Sequence, residues 1–193
     1  MREIRGVQGL EVRAAADGQP ATLIGYAAVF DSLSEDLGGF REIVRPNCFA
    51  RTLRENPDIY ALADHETCDR LARTKNGSLR LAEDNRGLRV EIDLPQTSLG
   101  HDIAEEVRSG LLDSMSFGFV CRKDTWTTDV AGTVRELIDV DLYEVSVVTW
   151  GAYPATTIDV ARRSFEAWQS GQSPTFRPTV FRLRKLKQIP DFA

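Results

Sequence analysis

Histidine is scarce in this chain: only His65 and His101 carry an imidazole among 193 residues, so any histidine-dependent chemistry has to use one of the two. The three cysteines, Cys48, Cys68 and Cys121, are scattered and odd in number. That excludes the dense, even-numbered framework of a small secreted fold and fits a reducing cytosol. No run of about 18 apolar residues occurs, and no apolar segment follows Met1-Arg2-Glu3-Ile4-Arg5-Gly6, so neither export nor a membrane-spanning helix is expected. Glycine-rich phosphate loops of Walker or Rossmann spacing are missing, as are internal repeats and low-complexity tracts. Basic side chains are also in the minority, 24 against 29 acidic ones. The formal charge of -5 disfavours nonspecific attraction to nucleic acid or anionic membrane and leaves a protein or a small molecule as the expected partner.

What is present is mostly two-residue alternation. Leu79 and Leu81, then Leu88, Val90, Ile92 and Leu94, flank Asp84-Asn85-Arg86-Gly87 and predict a β-hairpin. Thr22 to Phe30 reads as a buried strand, with weaker strands at Glu11 to Ala14 and Arg41 to Val44. Phe117 to Arg122 and Val134 to Val148 are β-rich and meet through a turn at Asp129-Val130-Ala131-Gly132. About six to eight strands are expected. Helices are fewer. Asn47 to Arg54 follows Pro46 and sets Phe49 and Leu53 on one face. Leu99, Ile103 and Val107 recur at four-residue spacing between Thr97 and Ser98 as caps and Gly110 as a stop. Thr157 to Ser170 is a third candidate, ending in the linker-like Gly171-Gln172-Ser173-Pro174. The length suits one domain with a real core, residues 1–170, followed by a basic tail, residues 171–193.

Three places carry residue types suited to catalysis. His65 follows the apolar stretch Ile59 to Ala63 and Asp64, where a strand runs into a loop, and such loop ends often present catalytic groups. His101 lies among Asp102, Glu105 and Glu106 within the second helix, where an exposed imidazole is the ordinary outcome. In Asp113-Ser114-Met115-Ser116-Phe117-Gly118-Phe119 a strand would put Met115, Phe117, Phe119 and Cys121 on one face and Ser114, Ser116, Gly118 and Val120 on the other. A nucleophilic serine needs space for a substrate carbonyl, and Gly118 leaves it; a small polar solvent face reads the same way. In Asp139 to Val148, strict alternation places Glu144 with Leu142, Ser146 and Val148, and Asp139 and Asp141 with Tyr143 and Val145. A carboxylate among apolar neighbours needs a partner, for which an imidazole N–H and an arginine both serve. Asp64, His65 and Cys68 lack the second ligand pair of a closed zinc site, so no metal and no cofactor is expected. Cys68 is too near His65 along one loop for the usual spatially assembled cysteine-protease pair.

Taken together, Gly25 to Phe30, Gly39-Phe40-Arg41-Glu42, Pro46 to Phe49, Asp64-His65, Arg73 to Leu79, Gly87 to Val90, Met115 to Phe119, Tyr143 to Ser146 and Ala152-Tyr153-Pro154 resemble the tailed-phage prohead maturation proteases, distant relatives of the herpesvirus assembly proteases. The resemblance runs in order from about residue 20 to 160. It implies a mainly β fold with flanking helices, a herpesvirus-protease-like β-barrel, and a serine endopeptidase that cuts the scaffolding segment from the major capsid protein, and itself. It implies work inside the prohead in the host cytoplasm. It maps the family histidine onto His65 and the nucleophile onto Ser116, with Ser114 as alternate. An acid must then be the third member, Glu144 first and Asp141 behind it. Backbone N–H groups and an arginine are the candidate oxyanion donors. The herpesvirus relatives act as dimers, which makes a homodimer a candidate assembly; neither nucleic acid nor membrane is expected as a partner. Departures are Asp64 for the usual asparagine, Ala72 for a glycine before the arginine, and Trp150-Gly151 for an aromatic-proline pair. The competing readings are a noncatalytic capsid or scaffold-interaction protein of the same fold and a β-barrel small-molecule binding module.

Overall fold

In the computed structural model, which describes residues 3–8, 10–13, 21–55, 57–149 and 165–171, the alternating segments become ten strands. In chain order these are β1 (Glu3–Gln8), β2 (Glu11–Arg13), β3 (Thr22–Val29), β4 (Arg41–Val44), β5 (Tyr60–Ala63), β6 (Glu66–Arg73), β7 (Leu79–Glu83), β8 (Gly87–Asp93), β9 (Ser114–Asp129) and β10 (Gly132–Val148). Helix α1 (Ala50–Arg54) precedes β5 and α2 (Ser98–Ser109) precedes β9. The hairpin β7–β8, the strands β2, β3 and β4, and the turn joining β9 to β10 fall where alternation and turn residues predict them. So does α2, in which Thr97 Oγ1 accepts from Gly100 N at 3.3 Å and Gly110, at φ 79°, closes the C-terminus.

Two sheets result. One runs β1-β9-β10-β5-β6, with β4 also on β10; the other runs β2-β3-β8-β7. The long strand β10 organises the first sheet, because β9 pairs antiparallel along one edge while β4 and β5 pair in parallel with opposite ends of the other. Side chains from both sheets, among them Leu23, Leu88 and Ile92 from one and Phe117, Phe119 and Val145 from the other, share one apolar core. Each large apolar side chain fully buried there contributes about 1.5–3 kcal/mol. A smaller aromatic cluster joins Leu37 and Phe40 to Trp126 and Phe165.

The fold is mainly β with few helices, as expected, but the closed barrel is not formed among the described residues: β1, β6, β2 and β7 end their sheets as edges. Ten strands exceed the expected six to eight because β1 and β6 do not alternate in sequence. In β1 the inward residues are Glu3 and Arg5, which build a buried ion cluster with Glu42 and Arg135. The guanidinium of Arg135, only 2% exposed, reaches Glu3 at 2.7 Å and Glu42 at 3.1 Å, and Arg5 reaches Glu42 at 2.6 Å. These pairs lock β1 along the edge of β9 and satisfy charges that would otherwise be costly to bury. Strand β6 is polar over most of its length and buries only Leu71 and Ala72. Helix α1 begins at Ala50 rather than Asn47. Of the expected helix over Thr157 to Ser170, residues 165–169 are helical and 157–164 lie outside the described residues, as does the expected tail beyond Gly171.

Candidate active site

His65 is presented by a tight turn. Strands β5 and β6 pair Ala63 with Glu66, so Asp64 and His65 form a two-residue hairpin loop, with φ of 44° and 63°. Two-residue loops of the type I′ kind, which follow the right-handed twist of the strands, require positive φ at both positions and usually select Asn-Gly. Holding a histidine there costs about 1–2 kcal/mol, and such strain gathers at functional sites. The turn is fixed to the end of β10: Asp64 N donates to Val147 O at 2.9 Å, while Asp64 Oδ1 accepts from Thr149 N at 2.9 Å and Oδ2 from Thr149 Oγ1 at 3.1 Å. Asp64 therefore anchors the loop through Thr149.

Glu144 owes its direction to a bulge. Leu142 pairs with Phe119 and Glu144 with Gly118, so Tyr143 is an extra residue on β10. It is exposed, and beyond it Val145 and Val147 enter the core that also holds Leu142. Strict alternation put Glu144 on Leu142's face and Val145 on Tyr143's; the bulge reverses both assignments. Glu144, 2% exposed, thus lies on the opposite side of the sheet from the core, and one carboxylate oxygen, Oε1, meets His65 Nδ1 at 2.9 Å. Its second oxygen, Oε2, accepts from Ser146 Oγ at 2.5 Å.

Ser116 shares that face. It lies directly opposite Ser146 across the β9–β10 ladder, and opposite Gly6 of β1 on its other side. Cross-strand partners point to the same side of a sheet, so Ser116 shares a side with Ser146 and Glu144, and Glu144 brings the His65 ring to that side. Ser116 is 3% exposed, and its Oγ is the one buried side-chain oxygen or nitrogen without a hydrogen-bond partner among the described residues. Leaving a buried hydroxyl unpaired costs about 1–3 kcal/mol. His65 and Ser116 are therefore on one face but not hydrogen-bonded to each other.

The alternates are engaged elsewhere. Ser114 Oγ donates to its neighbour Asp113 Oδ1 at 2.6 Å. Asp141 accepts from Arg51 and Arg122 at 2.6 Å each. Burial alone would raise the Asp141 carboxyl, but the two arginines outweigh it and hold it below the usual carboxylate range. His101 is exposed on α2, and Cys68 is exposed on β6. Burial pushes the Cys121 thiol up to about 12 and Cys48 higher still, which keeps both protonated and poorly nucleophilic. No three His, Cys, Asp or Glu side chains cluster as a metal site would require among the described residues. Ser146 is the site residue that sequence reasoning left without a role; its position two residues from Glu144 in a strand was the available sign.

The chain is thus mainly β, with a hydrogen-bonded His–Glu pair and an unpartnered buried serine on one sheet face. Comparison with known proteins is more specific: the chain belongs to the caudovirus prohead serine protease family, whose model matches residues 8–170. It is 31% identical over 144 residues to the prohead protease of Enterobacteria phage HK97, a match covering 74% of this chain and 60% of that protein. The match thus spans less than two thirds of that relative's length. The structure resembles the capsid assembly protease of bacteriophage T4 with a TM-score of 0.55 and 10% identity, over 79% of this chain and 97% of that one, a likeness of fold.

Proposed function

We propose that the chain is a serine endopeptidase of phage prohead maturation, in which His65 activates Ser116 and Glu144 orients His65. The observation that carries the reading is the hydrogen-bonded series His65–Glu144–Ser146 on the same sheet face as the unpartnered Ser116 hydroxyl. With Nδ1 held by Glu144, the second ring nitrogen, Nε2, is the one left for proton transfer. It takes the Ser116 proton as Oγ attacks the scissile carbonyl carbon, and returns it to the leaving amine as the acyl-enzyme forms. Water then attacks the ester in the same manner and frees Ser116. Glu144 keeps the ring in the productive tautomer and offsets the positive charge that develops on it. The substrate in this reading is the scaffolding segment of the major capsid protein, with the protease itself as a second target, inside the prohead in the host cytoplasm. A homodimer, a protease domain over residues 1–170, a basic arm over 171–193 and the distant kinship to herpesvirus assembly proteases belong to the same reading.

One observation favours a second reading, a noncatalytic capsid or scaffold-interaction protein: the Ser116 hydroxyl is enclosed, so a substrate must part the groups that cover it. Co-expression with the major capsid protein of its own virion separates the two. Intact-mass measurement should show the capsid protein shortened in the presence of this chain and full-length with His65→Ala. A full-length capsid protein in both cases would favour the noncatalytic reading.

A further inference from the structure

We infer that Ser146 is a positioning residue for the catalytic series, acting on Glu144 from behind; the inference rests on the protease reading given above. A glutamate carboxylate turns easily about its last torsion, and that torsion has no sharp preferred value of its own. Glu144 is fixed at both oxygens instead, Oε1 on His65 at 2.9 Å and Oε2 on Ser146 at 2.5 Å. Hydrogen bonds to an ionised acceptor are about twice as strong as neutral ones, so the Ser146 bond is well suited to hold that torsion. Ser146 has no exposed surface and its hydroxyl is committed to Glu144, so its hydrogen bond acts through Glu144.

The hydroxyl has a second effect, through the register. Ser146 stands directly opposite Ser116, where two serines facing each other across a ladder ordinarily hydrogen-bond. A serine has one proton to donate, and Ser146 gives it to Glu144. Ser116 Oγ thereby receives no competing donor from its cross-strand neighbour, and its own hydroxyl is likewise unpartnered among the described residues. Ser146 both aims the carboxylate at His65 and leaves the Ser116 lone pairs available for attack.

The test is Ser146→Ala in the full chain, assayed on the capsid-protein precursor and by NMR of histidine-labelled protein. The two imidazoles are assigned with His101→Gln, since His101 is exposed on α2. The inference predicts a fall in kcat on the order of 10- to 100-fold, the range found when a hydrogen bond orienting a functional group from the outer shell is lost, with KM unchanged within about twofold. It also predicts that the hydrogen-bonded Nδ1–H resonance of His65 broadens or disappears. Wild-type kcat with an unchanged resonance would overturn it. A lowered melting temperature without change in resonance or kcat would make Ser146 structural and overturn it equally. Should the alanine variant not fold, Ser146→Cys fills the volume with a poor donor and carries the same expectations. Ser116→Ala is run beside it: if that variant cleaves normally, the assignment of Ser116 as the nucleophile fails, while the His65 resonance still decides whether Ser146 holds Glu144.

Discussion

Replacing Glu144 by glutamine removes one charge and almost no volume. The amide oxygen can still accept from His65 Nδ1, and the amide N–H₂ can donate to Ser146 Oγ, which then turns from donor to acceptor. Geometry is preserved, and the change isolates the charge. Attack by Ser116 turns His65 into an imidazolium, and a carboxylate whose charge centre lies about 4 Å away stabilises it by roughly 4 kcal/mol at an effective dielectric constant near 20. Losing that term lowers the rate by about three orders of magnitude, since each 1.36 kcal/mol is tenfold. The glutamine variant should therefore cleave a capsid-precursor peptide about 10³-fold more slowly in kcat, retain a wild-type melting curve within a few degrees, and lose less than Ser116→Ala loses. Asp141→Asn is the control, because Asp141 is bonded to Arg51 and Arg122. Near-normal turnover in Glu144→Gln combined with collapse in Asp141→Asn would refute the assignment and pass the third role to Asp141.

Other expectations follow from burial and charge. Ser116→Ala deletes a buried hydroxyl that has no partner, so a melting temperature raised by about 2–4 °C is expected by calorimetry, corresponding to roughly 1 kcal/mol; a lowered value would mean that the hydroxyl is satisfied in solution. Arg135→Met leaves the buried carboxylates of Glu3 and Glu42 to share Arg5 alone, one negative charge uncompensated, and should cost about 3–5 kcal/mol in urea unfolding near neutral pH. Burial would raise the Glu3 carboxyl, but Arg135 and Arg5 together hold it below the ordinary 4.5. A depressed carboxyl contributes stability that is complete above that ordinary value and is lost as the pH falls below it, so the gap between wild type and Arg135→Met should narrow in acid; a constant gap would contradict the ion-cluster account. Truncation after Gly171 removes Arg182, Arg184, Lys185 and Lys187 and should leave cleavage of a soluble precursor intact while abolishing incorporation during prohead assembly; normal incorporation would eliminate a tethering role for the basic arm.

The parts of the fold legible in sequence are those in which local chemistry and tertiary burial agree. The β7–β8 hairpin and α2 satisfy that condition, with apolar periodicity, turn residues and caps all pointing the same way. Strand β1 does not: its inward Glu3 and Arg5 become intelligible only once Glu42 and Arg135, distant in sequence, are seen to pair with them. Barrel closure depends on which edges meet, and no local pattern encodes that. At the site, His65 was approachable because histidines are few, and Glu144 because an acid among apolar residues demands a partner. Its direction was misjudged because alternation counts residues and the bulge at Tyr143 adds one. The strained turn under His65 and the hydroxyl of Ser146 left no mark distinct from an ordinary loop and an ordinary small strand residue.

Parallel rates of capsid-precursor cleavage by Ser116→Ala and Ser114→Ala bear most directly on the central claim that Ser116 is the nucleophile. Ser114 donates to Asp113, whereas Ser116 is unpartnered on the face shared with Glu144 and His65. Mass spectrometry of the cleaved fragment over time gives both rates. The account predicts a loss on the order of a thousandfold or more for Ser116→Ala and less than about tenfold for Ser114→Ala. Cleavage by Ser116→Ala at the wild-type rate, or a loss that falls on Ser114→Ala instead, would contradict it.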